Sequence, residues 1–295
     1  MDSLINWEAI HKLSLPPMMR ERQKPDPEWE QRFADFYNKI AAMEKKRTLD
    51  QVNALPLLLD DTLLDMGCGP GRLSVPLAQR VKSVTSLDMS DAVLRYCAEN
   101  ARVAGITNLT TRKLDFHDAV PGENIEKHDV VICSRSVGLG NLRKLSTFAK
   151  RMVAIVTFAN APTIPQLLSG IFKDTTVAPK PSFLKHEHNR NLNYNVIFNI
   201  VYDMGYEPNV RILEDGFIRD YASQKEAETD ILTLSSTMGK VDTDRMDIFR
   251  KNLSTFLTPN NRGGVTFSME TRTCVIWWLI QNKEFFQKKS PTENS

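Results

Sequence analysis

The chain has 295 residues, of which 41% are hydrophobic and 25% are charged, as in globular proteins of one or two domains. Its 38 basic and 36 acidic residues give a net charge of +2, which lacks the strong positive excess typical of proteins that bind nucleic acid. The four cysteines form neither a C-x-x-C pair nor a disulfide framework, a pattern typical of reduced thiols in a cytoplasmic protein. No signal peptide is predicted, because the amino terminus lacks a basic region followed by an apolar core. No transmembrane helix is predicted, because no apolar run approaches the roughly 18 residues that a span needs.

The segment before the first predicted strand, residues 1–58, is predicted to be a helical cap. Its aromatic and apolar side chains recur at helical intervals from about Pro27 onwards. They are Trp29, Phe33, Phe36, Tyr37 and Ile40. We expect this cap to lie outside the sheet and to close over a bound ligand; the alternative is that its helix only packs on the sheet.

A glycine-rich turn follows the first predicted strand. An apolar run ends at Asp65, three alternate glycines come next, and an amphipathic run then extends from Leu73 to Val81. The glycines are Gly67, Gly69 and Gly71. Glycine permits positive φ and lets a ligand approach the main chain, and the free N–H groups of the new helix point into the same space. The pattern predicts a ligand-binding loop.

The glycine spacing distinguishes two kinds of nucleotide-binding loop. A nicotinamide-binding loop has the pattern G-x-G-x-x-G, and its last glycine falls at the position that Arg72 occupies here. This chain has G-x-G-x-G instead, which argues against a dehydrogenase.

The second predicted strand, over residues 81–88, ends in Asp88. An acidic residue about 20 positions after a glycine loop can accept hydrogen bonds from ribose hydroxyls. Ser90 then caps a helix over 92–104, which Gly105 ends. The loop and this carboxylate together indicate a ligand that contains a ribose.

Further strands and helices follow at a spacing typical of a doubly wound α/β sheet. Strands are predicted over 108–114, 128–133, 152–158, 208–213 and 273–280, and helices over 192–204, 224–234 and 242–257. The last strand is apolar on both faces, as expected inside a sheet. Insertions are predicted at about 160–190, which is rich in proline, and at 221–260, and residues 282–295 read as a polar tail.

The glycine loop carries a family resemblance. A G-x-G-x-G pattern led by the acidic residue Asp65 resembles motif I of the class I S-adenosylmethionine (SAM)-dependent methyltransferases. The resemblance implies a doubly wound three-layer α/β sandwich with a seven-stranded, mostly parallel sheet, in which the last strand runs antiparallel between the fifth and sixth. It also implies SAM as the cofactor and one methyltransferase domain over residues 59–281.

At the methionine end of SAM, the resemblance implies contacts with the loop. Asp65 would lie near the amino group of the ligand through a water molecule. The backbone of residues 67–71, which includes Cys68, would line the methionine part. Ser134, after the fourth strand, would contact the methionine again.

At the adenosine end, the resemblance implies contacts with the next two strand ends. Asp88 would hold the ribose hydroxyls, and Met89 would lie against the adenine. Asp115 would face the adenine amine, and Phe116 the edge of its ring.

Methyl transfer from a sulfonium depends mainly on positioning and a dry cavity, so a dedicated base is optional. If the acceptor must lose a proton, His186 and His188 beside the first insertion are the candidate bases. The alternative is that both are solvated loop residues. No metal site is predicted, because two alternate histidines need further ligands from elsewhere.

A small molecule is the first prediction for the acceptor, since the cap and the insertions can enclose a pocket. RNA is the alternative, and its basic stripe would consist of Lys144, Lys150 and Arg151 on the fourth helix. A regulator that binds SAM without catalysis is a third possibility. Residues 135–138 read Arg-Ser-Val-Gly where amino-targeting DNA methyltransferases carry Asn-Pro-Pro-Tyr or Asp-Pro-Pro-Tyr, so methylation of that type is not expected. The sequence leaves the oligomeric state open.

Overall fold

A single mixed sheet lies at the centre of the computed structural model, which describes residues 4–15, 27–160, 164–175, 189–237 and 241–280. The strands are β1 (Thr62–Met66), β2 (Ser83–Asp88), β3 (Leu109–Lys113), β4 (His128–Ser134), β5 (Ala149–Phe158), β6 (Asn209–Tyr221), β7 (Leu257–Pro259) and β8 (Val265–Leu279). Their order is β3-β2-β1-β4-β5-β8-β6, and the short β7 pairs with β8.

The first five strands are parallel, and β8 runs antiparallel to both of its neighbours, β5 and β6. This order confirms the predicted doubly wound sheet with its last strand inserted between the fifth and sixth. The chain proceeds from β1 towards one edge and then returns to place β4 on the other side of β1. Ligands bind at such a switch point, outside the carboxyl ends of the strands.

Nine α-helices surround the sheet in the part of the chain described here. They are α1 (Trp7–Ser14), α2 (Pro27–Asn53), α3 (Ser74–Ala78), α4 (Asp91–Val103), α5 (Leu142–Ser146), α6 (Ile164–Ile171), α7 (Tyr194–Asp203), α8 (Gln224–Leu232) and α9 (Met246–Ser254). The predicted cap of α4 is observed, since the Ser90 hydroxyl accepts from the backbone N–H of Val93 at 3.3 Å. None of these helices has the length and apolar character needed to cross a membrane.

Two strands are much longer than the sequence predicts. β6 continues past Leu213 to Tyr221, and β8 begins at Val265 instead of Thr273. The two pair with each other over thirteen positions, so their outer parts form an antiparallel ribbon. Because the added residues include charged side chains such as Glu214, the ribbon does not show the continuous apolar run of a central strand.

The fifth strand begins earlier than predicted, at Ala149. Lys150 and Arg151 therefore lie on β5, and the prediction that they extend a basic helix with Lys144 is wrong. Arg151 also pairs with Asp61, so its charge is neutralised locally.

The cap helix α2 shares a hydrophobic core with the second half of the chain. Phe36 and Ile40 from α2 pack with Phe217 of the ribbon, Phe249 of α9 and Phe267 of β8. Two further clusters fill the opposite faces of the sheet. Since α2 buries side chains in this core, it is part of the folded body.

Candidate functional site

The glycine loop between β1 and α3 is held against the end of β2. Its three glycines all have positive φ, at 73° for Gly67, 54° for Gly69 and 83° for Gly71. The carbonyl of Leu87 accepts hydrogen bonds from the backbone N–H groups of Gly67 at 2.8 Å and Cys68 at 3.0 Å. The loop therefore has the left-handed backbone that its glycines permit.

Two of these glycines have very different surroundings. A Cβ atom at Gly67 would lie 1.7 Å from the Ser136 Oγ, whereas a Cβ at Gly69 would meet no atom within 4 Å. Gly67 thus lets the segment after β4 pack closely on the loop. Gly69 instead borders open space, where a ligand can reach the main chain.

Asp88 ends β2 and binds the loop through its carboxylate. One oxygen accepts from the backbone N–H of Gly69 and the other from that of Ser90, both at 3.1 Å. Burial raises the pKa of Asp88, and the hydrogen bonds from these two N–H groups oppose that rise. Each carboxylate oxygen has a further lone pair, so Asp88 can still accept hydrogen bonds from a ligand.

Asp65 is buried beneath the loop. Its Oδ2 accepts from the Ser74 hydroxyl at 2.6 Å, while its Oδ1 has no hydrogen-bond partner among the described residues. Burial raises the pKa of Asp65 to about 6, and the hydrogen bond from Ser74 opposes that rise. A buried acceptor without a donor suits a cationic or N–H-bearing ligand group.

The comparisons with known proteins agree with this geometry. Residues 59–173 match a family model described as a methyltransferase domain. That segment runs from β1 through β5 and contains the glycine loop and Asp88. This part of the chain, residues 59–173, is therefore a methyltransferase domain. The match supports the cofactor that the sequence predicts, SAM.

Three relatives illustrate how far the similarity extends. An uncharacterized protein of Haemophilus influenzae is 23% identical over 92% of each chain. A 23S rRNA (uracil(1939)-C(5))-methyltransferase of Marinomonas sp. is 33% identical over 30% of this chain and 20% of that enzyme. A ubiquinone biosynthesis O-methyltransferase of Leptothrix cholodnii is 30% identical over 39% of this chain and 53% of that enzyme. The chain thus spans most of the first relative but only about a fifth and a half of the two enzymes.

The residues predicted to contact adenine follow β2 and β3, which are parallel neighbours, so they lie at the same edge of the sheet. Met89 is 41% exposed. One carboxylate oxygen of Asp115 lies 2.9 Å from both the backbone N and the Nδ1 of His117. Phe116 is buried against Phe148 in the hydrophobic core, so its side chain stabilises the fold as well as the strand end.

A buried polar cluster beneath α2 was not identified from the sequence. Its members are Glu44, Gln51, Arg72, Ser134, Arg135, Asp215 and Thr273. They come from α2, the glycine loop, the end of β4 and the paired strands β6 and β8. Only Ser134 among them was predicted as a site residue. The sequence feature that could have indicated this cluster is the pair of arginines Arg72 and Arg135, which directly follow the glycine loop and β4.

Arg135 is at the centre of this cluster and has an unusual backbone. Its φ is +49°, in the left-handed region that non-glycine residues seldom occupy. Its Nη1 binds Glu44, and its Nη2 donates to the Asp215 carboxylate at 2.9 Å and to the Thr273 hydroxyl at 2.8 Å. Its guanidinium carbon also lies 3.6 Å from the centre of the Phe158 ring. Charge pairing and stacking therefore hold this strained residue in place.

The candidate bases His186 and His188 lie outside the described residues. Cys133, at the end of the apolar part of β4, is buried, and burial raises the pKa of its thiol to about 12. Such a thiol is inert at neutral pH.

Proposed function

We propose that this methyltransferase transfers the methyl group of SAM to a small-molecule acceptor. The observation that carries this proposal is the position of α2, which contacts the segment after β2, the end of the glycine loop and β6. Glu30 of α2 accepts from the Ser90 hydroxyl beside β2, and Gln51 near its other end donates to Asp215 of β6 at 2.9 Å. A site roofed by a packed helix favours a compact acceptor over a large nucleic-acid surface.

The residues near the loop fit SAM, and we assign their roles as follows. The free Oδ1 of Asp65 would accept from the amino group of the methionine part, through a water molecule. The open space beside Gly69 would receive the main part of the ligand, along the backbone of residues 67–71 and against Ser134. Asp88 would accept hydrogen bonds from the ribose hydroxyls, since its two bonds to backbone N–H groups already orient its carboxylate.

The adenine would lie between the next two strand ends in this proposal. The exposed Met89 side chain would cover one face of the ring. Asp115 would accept from the adenine amine, and the backbone at Phe116 would approach the ring edge. The segments 160–190 and 221–260 would enclose the acceptor, together with the cap over residues 1–58.

Bound SAM supplies an electrophilic methyl group on a sulfonium. The contribution of the protein is to align the acceptor with that methyl group and to exclude water. Tyr37 of α2 is not a base at neutral pH, because burial raises its pKa to about 12. Glu44 and Asp215 are paired with Arg135. If the acceptor must lose a proton, His186 and His188 remain the proposed bases.

RNA is the less favoured acceptor. The match to the rRNA enzyme of Marinomonas covers only 30% of this chain and 20% of that enzyme. The proposed basic stripe is interrupted, because Arg151 pairs with Asp61 and the Lys144 ammonium donates to the His117 carbonyl at 2.8 Å. RNA binding would need exposed basic groups along one face.

Incubation with methyl-labelled SAM tests the proposal. The full chain would be given separate pools of small metabolites, tRNA and rRNA, and label would be followed in each pool. We expect label in the small-metabolite pool and none in RNA. Label in RNA alone would reject the proposed acceptor class, and SAM binding without transfer to any pool would favour a regulator. The Asp88→Ala variant serves as the cofactor-site control, since it should lose transfer.

A further inference from the structure

Arg72 directly follows the glycine loop, and its buried side chain reaches α2 and β4 at once. Its Nη1 donates to the Gln51 Oε1 at 2.7 Å, and its Nε lies 3.4 Å from the Glu44 Oε2. Both partners are on α2. Its Nη2 donates to the Ser134 Oγ at 2.7 Å, at the end of β4. All three nitrogens of the guanidinium thus have partners, two on the cap helix and one on the sheet edge.

These contacts make the position of the side chain depend on both the loop and the helix. The guanidinium is planar, and the Arg72 side chain is only 10% exposed. If α2 moved away, two of the three nitrogens would lose their partners in a buried environment, which is unfavourable. If the loop changed its backbone, the Arg72 Cα would move with Gly71, and the same hydrogen bonds would break.

We propose that Arg72 is a positioning residue that couples occupation of the glycine loop to the position of α2. The inference rests on the proposed function, because it requires SAM to bind at the loop. A ligand that orders residues 67–71 also fixes the Arg72 backbone, and one that contacts Ser134 fixes a direct partner of the guanidinium. Arg72 then holds Glu44 and Gln51, and through them α2. Because such coupling is reciprocal, a held α2 also raises the affinity of the loop for SAM.

Hydrogen exchange on the full chain tests the coupling. Amide exchange would be followed in peptides from the loop and from the second half of α2, with and without SAM at a concentration shown to saturate each variant by calorimetry. In the unaltered protein, we expect SAM to slow exchange in both regions, by about ten-fold in α2. In Arg72→Gln, the loop should still be protected at saturation, and the slowing in α2 should fall below about two-fold.

Two further variants separate coupling from general loss of stability. Arg47→Gln removes a different link between α2 and the sheet, a 3.6 Å ion pair with Glu214, and leaves the loop unaltered. In this variant SAM should slow amide exchange in α2 as much as in the unaltered protein. Gln51→Leu removes one partner of Arg72, together with the hydrogen bond from Gln51 to Asp215, and introduces no charge at position 51. It should reduce the slowing in α2 even if Arg72→Gln does not fold. SAM affinity should fall by about five-fold or more in both Arg72→Gln and Gln51→Leu, and remain unchanged in Arg47→Gln.

The outcomes distinguish this inference from the proposed function. If SAM protects the loop of the unaltered protein and leaves α2 unchanged, the coupling does not exist. Full slowing of α2 in Gln51→Leu and in a folded Arg72→Gln would overturn the inference as well. If the unaltered protein binds no SAM, the proposed function itself fails, and the inference fails with it.

Discussion

The Asp88 carboxylate accepts a hydrogen bond from the backbone N–H of Gly69 at 3.1 Å, and so joins the end of β2 to the glycine loop. The helix cap that follows is a different residue, Ser90, whose hydroxyl accepts from Val93. Asp88 therefore binds the loop through one oxygen, while its other oxygen accepts from the backbone N–H of Ser90. A strand-end aspartate can alternatively cap the helix that follows it, and in this structure the Ser90 side chain supplies that cap.

Replacing Asp88 should weaken SAM binding more than it destabilises the fold. Removing a carboxylate that accepts two ribose hydroxyls should cost about 2–4 kcal/mol of binding free energy in Asp88→Ala, or about thirty- to a thousand-fold. Asp88→Asn keeps one acceptor oxygen, so its SAM affinity should lie between that of Asp88→Ala and that of the unaltered protein. Calorimetric titration with SAM and thermal unfolding of the same variants measure both effects. Unchanged affinity in Asp88→Ala would remove this residue from the cofactor site.

The matched pair Gly67→Ala and Gly69→Ala should separate folding from ligand binding. Both force alanine into positive φ, a strain of about 1–2 kcal/mol. The Cβ at position 67 would also collide with Ser136, whereas the Cβ at position 69 meets open space. Denaturant unfolding should therefore show a larger decrease in the free energy of unfolding for Gly67→Ala than for Gly69→Ala. Gly69→Ala should keep most of its stability but bind SAM poorly, and normal SAM affinity in that variant would mean that the ligand does not occupy the space beside Gly69.

Glu44 bridges two buried arginines, and its loss should be severe. Its two oxygens face Arg72 and Arg135, so Glu44→Gln would leave two buried positive charges with one fewer carboxylate. Breaking a buried pair in this way destabilises by about 3–5 kcal/mol. The control is Lys46→Gln on the same helix, which removes an exposed pair with Asp220 and should leave the denaturation midpoint nearly unchanged. Equal effects in the two variants would contradict the structural role given to Glu44.

The pH dependence of SAM binding should report the ionisation of Asp65. Burial raises the pKa of Asp65 to about 6, and a cationic ligand group binds its ionised form. SAM affinity should therefore decline as the pH falls from about 7.5 to about 5. Asp65→Asn should bind SAM about ten-fold more weakly at pH 7.5 and lose most of this dependence. Calorimetry across that range checks both, and an equal decline in Asp65→Asn would exclude Asp65 as the titrating group.

The same carboxyl has the opposite effect on the stability of the ligand-free protein. Its folded pKa of about 6 exceeds the unfolded value of about 4. Between these values the folded state binds more protons than the unfolded state, so the contribution of Asp65 to stability decreases as the pH rises from about 4 to about 6. The free energy of unfolding should be measured against pH for the unaltered protein and for Asp65→Asn. From about pH 4 to about pH 6 that of the unaltered protein should fall relative to that of Asp65→Asn, so the variant gains relative stability above about pH 6.

The sequence alone was sufficient for the parts of the protein that local patterns determine. The alternate glycines after Asp65 permit positive φ at no steric cost, so the loop could be predicted from their spacing. Hydrophobic patterning was sufficient for β1, β2, β4, β5 and α2, because each of these buries one face or both. The fold resemblance then predicted the antiparallel last strand, whose continuous apolar character marks a central position.

Tertiary structure alone decided what depends on distant partners. Glu44 lies 91 residues from Arg135, and Gln51 lies 164 residues from Asp215, so no local pattern reveals that these side chains form one cluster. The extensions of β6 and β8 were missed for the same reason, since each is a strand only because the other pairs with it. In a sequence, charged residues are normally interpreted as solvent-exposed. The charged residues of this cluster are buried only because α2 packs against the sheet, and their burial makes their pairing necessary.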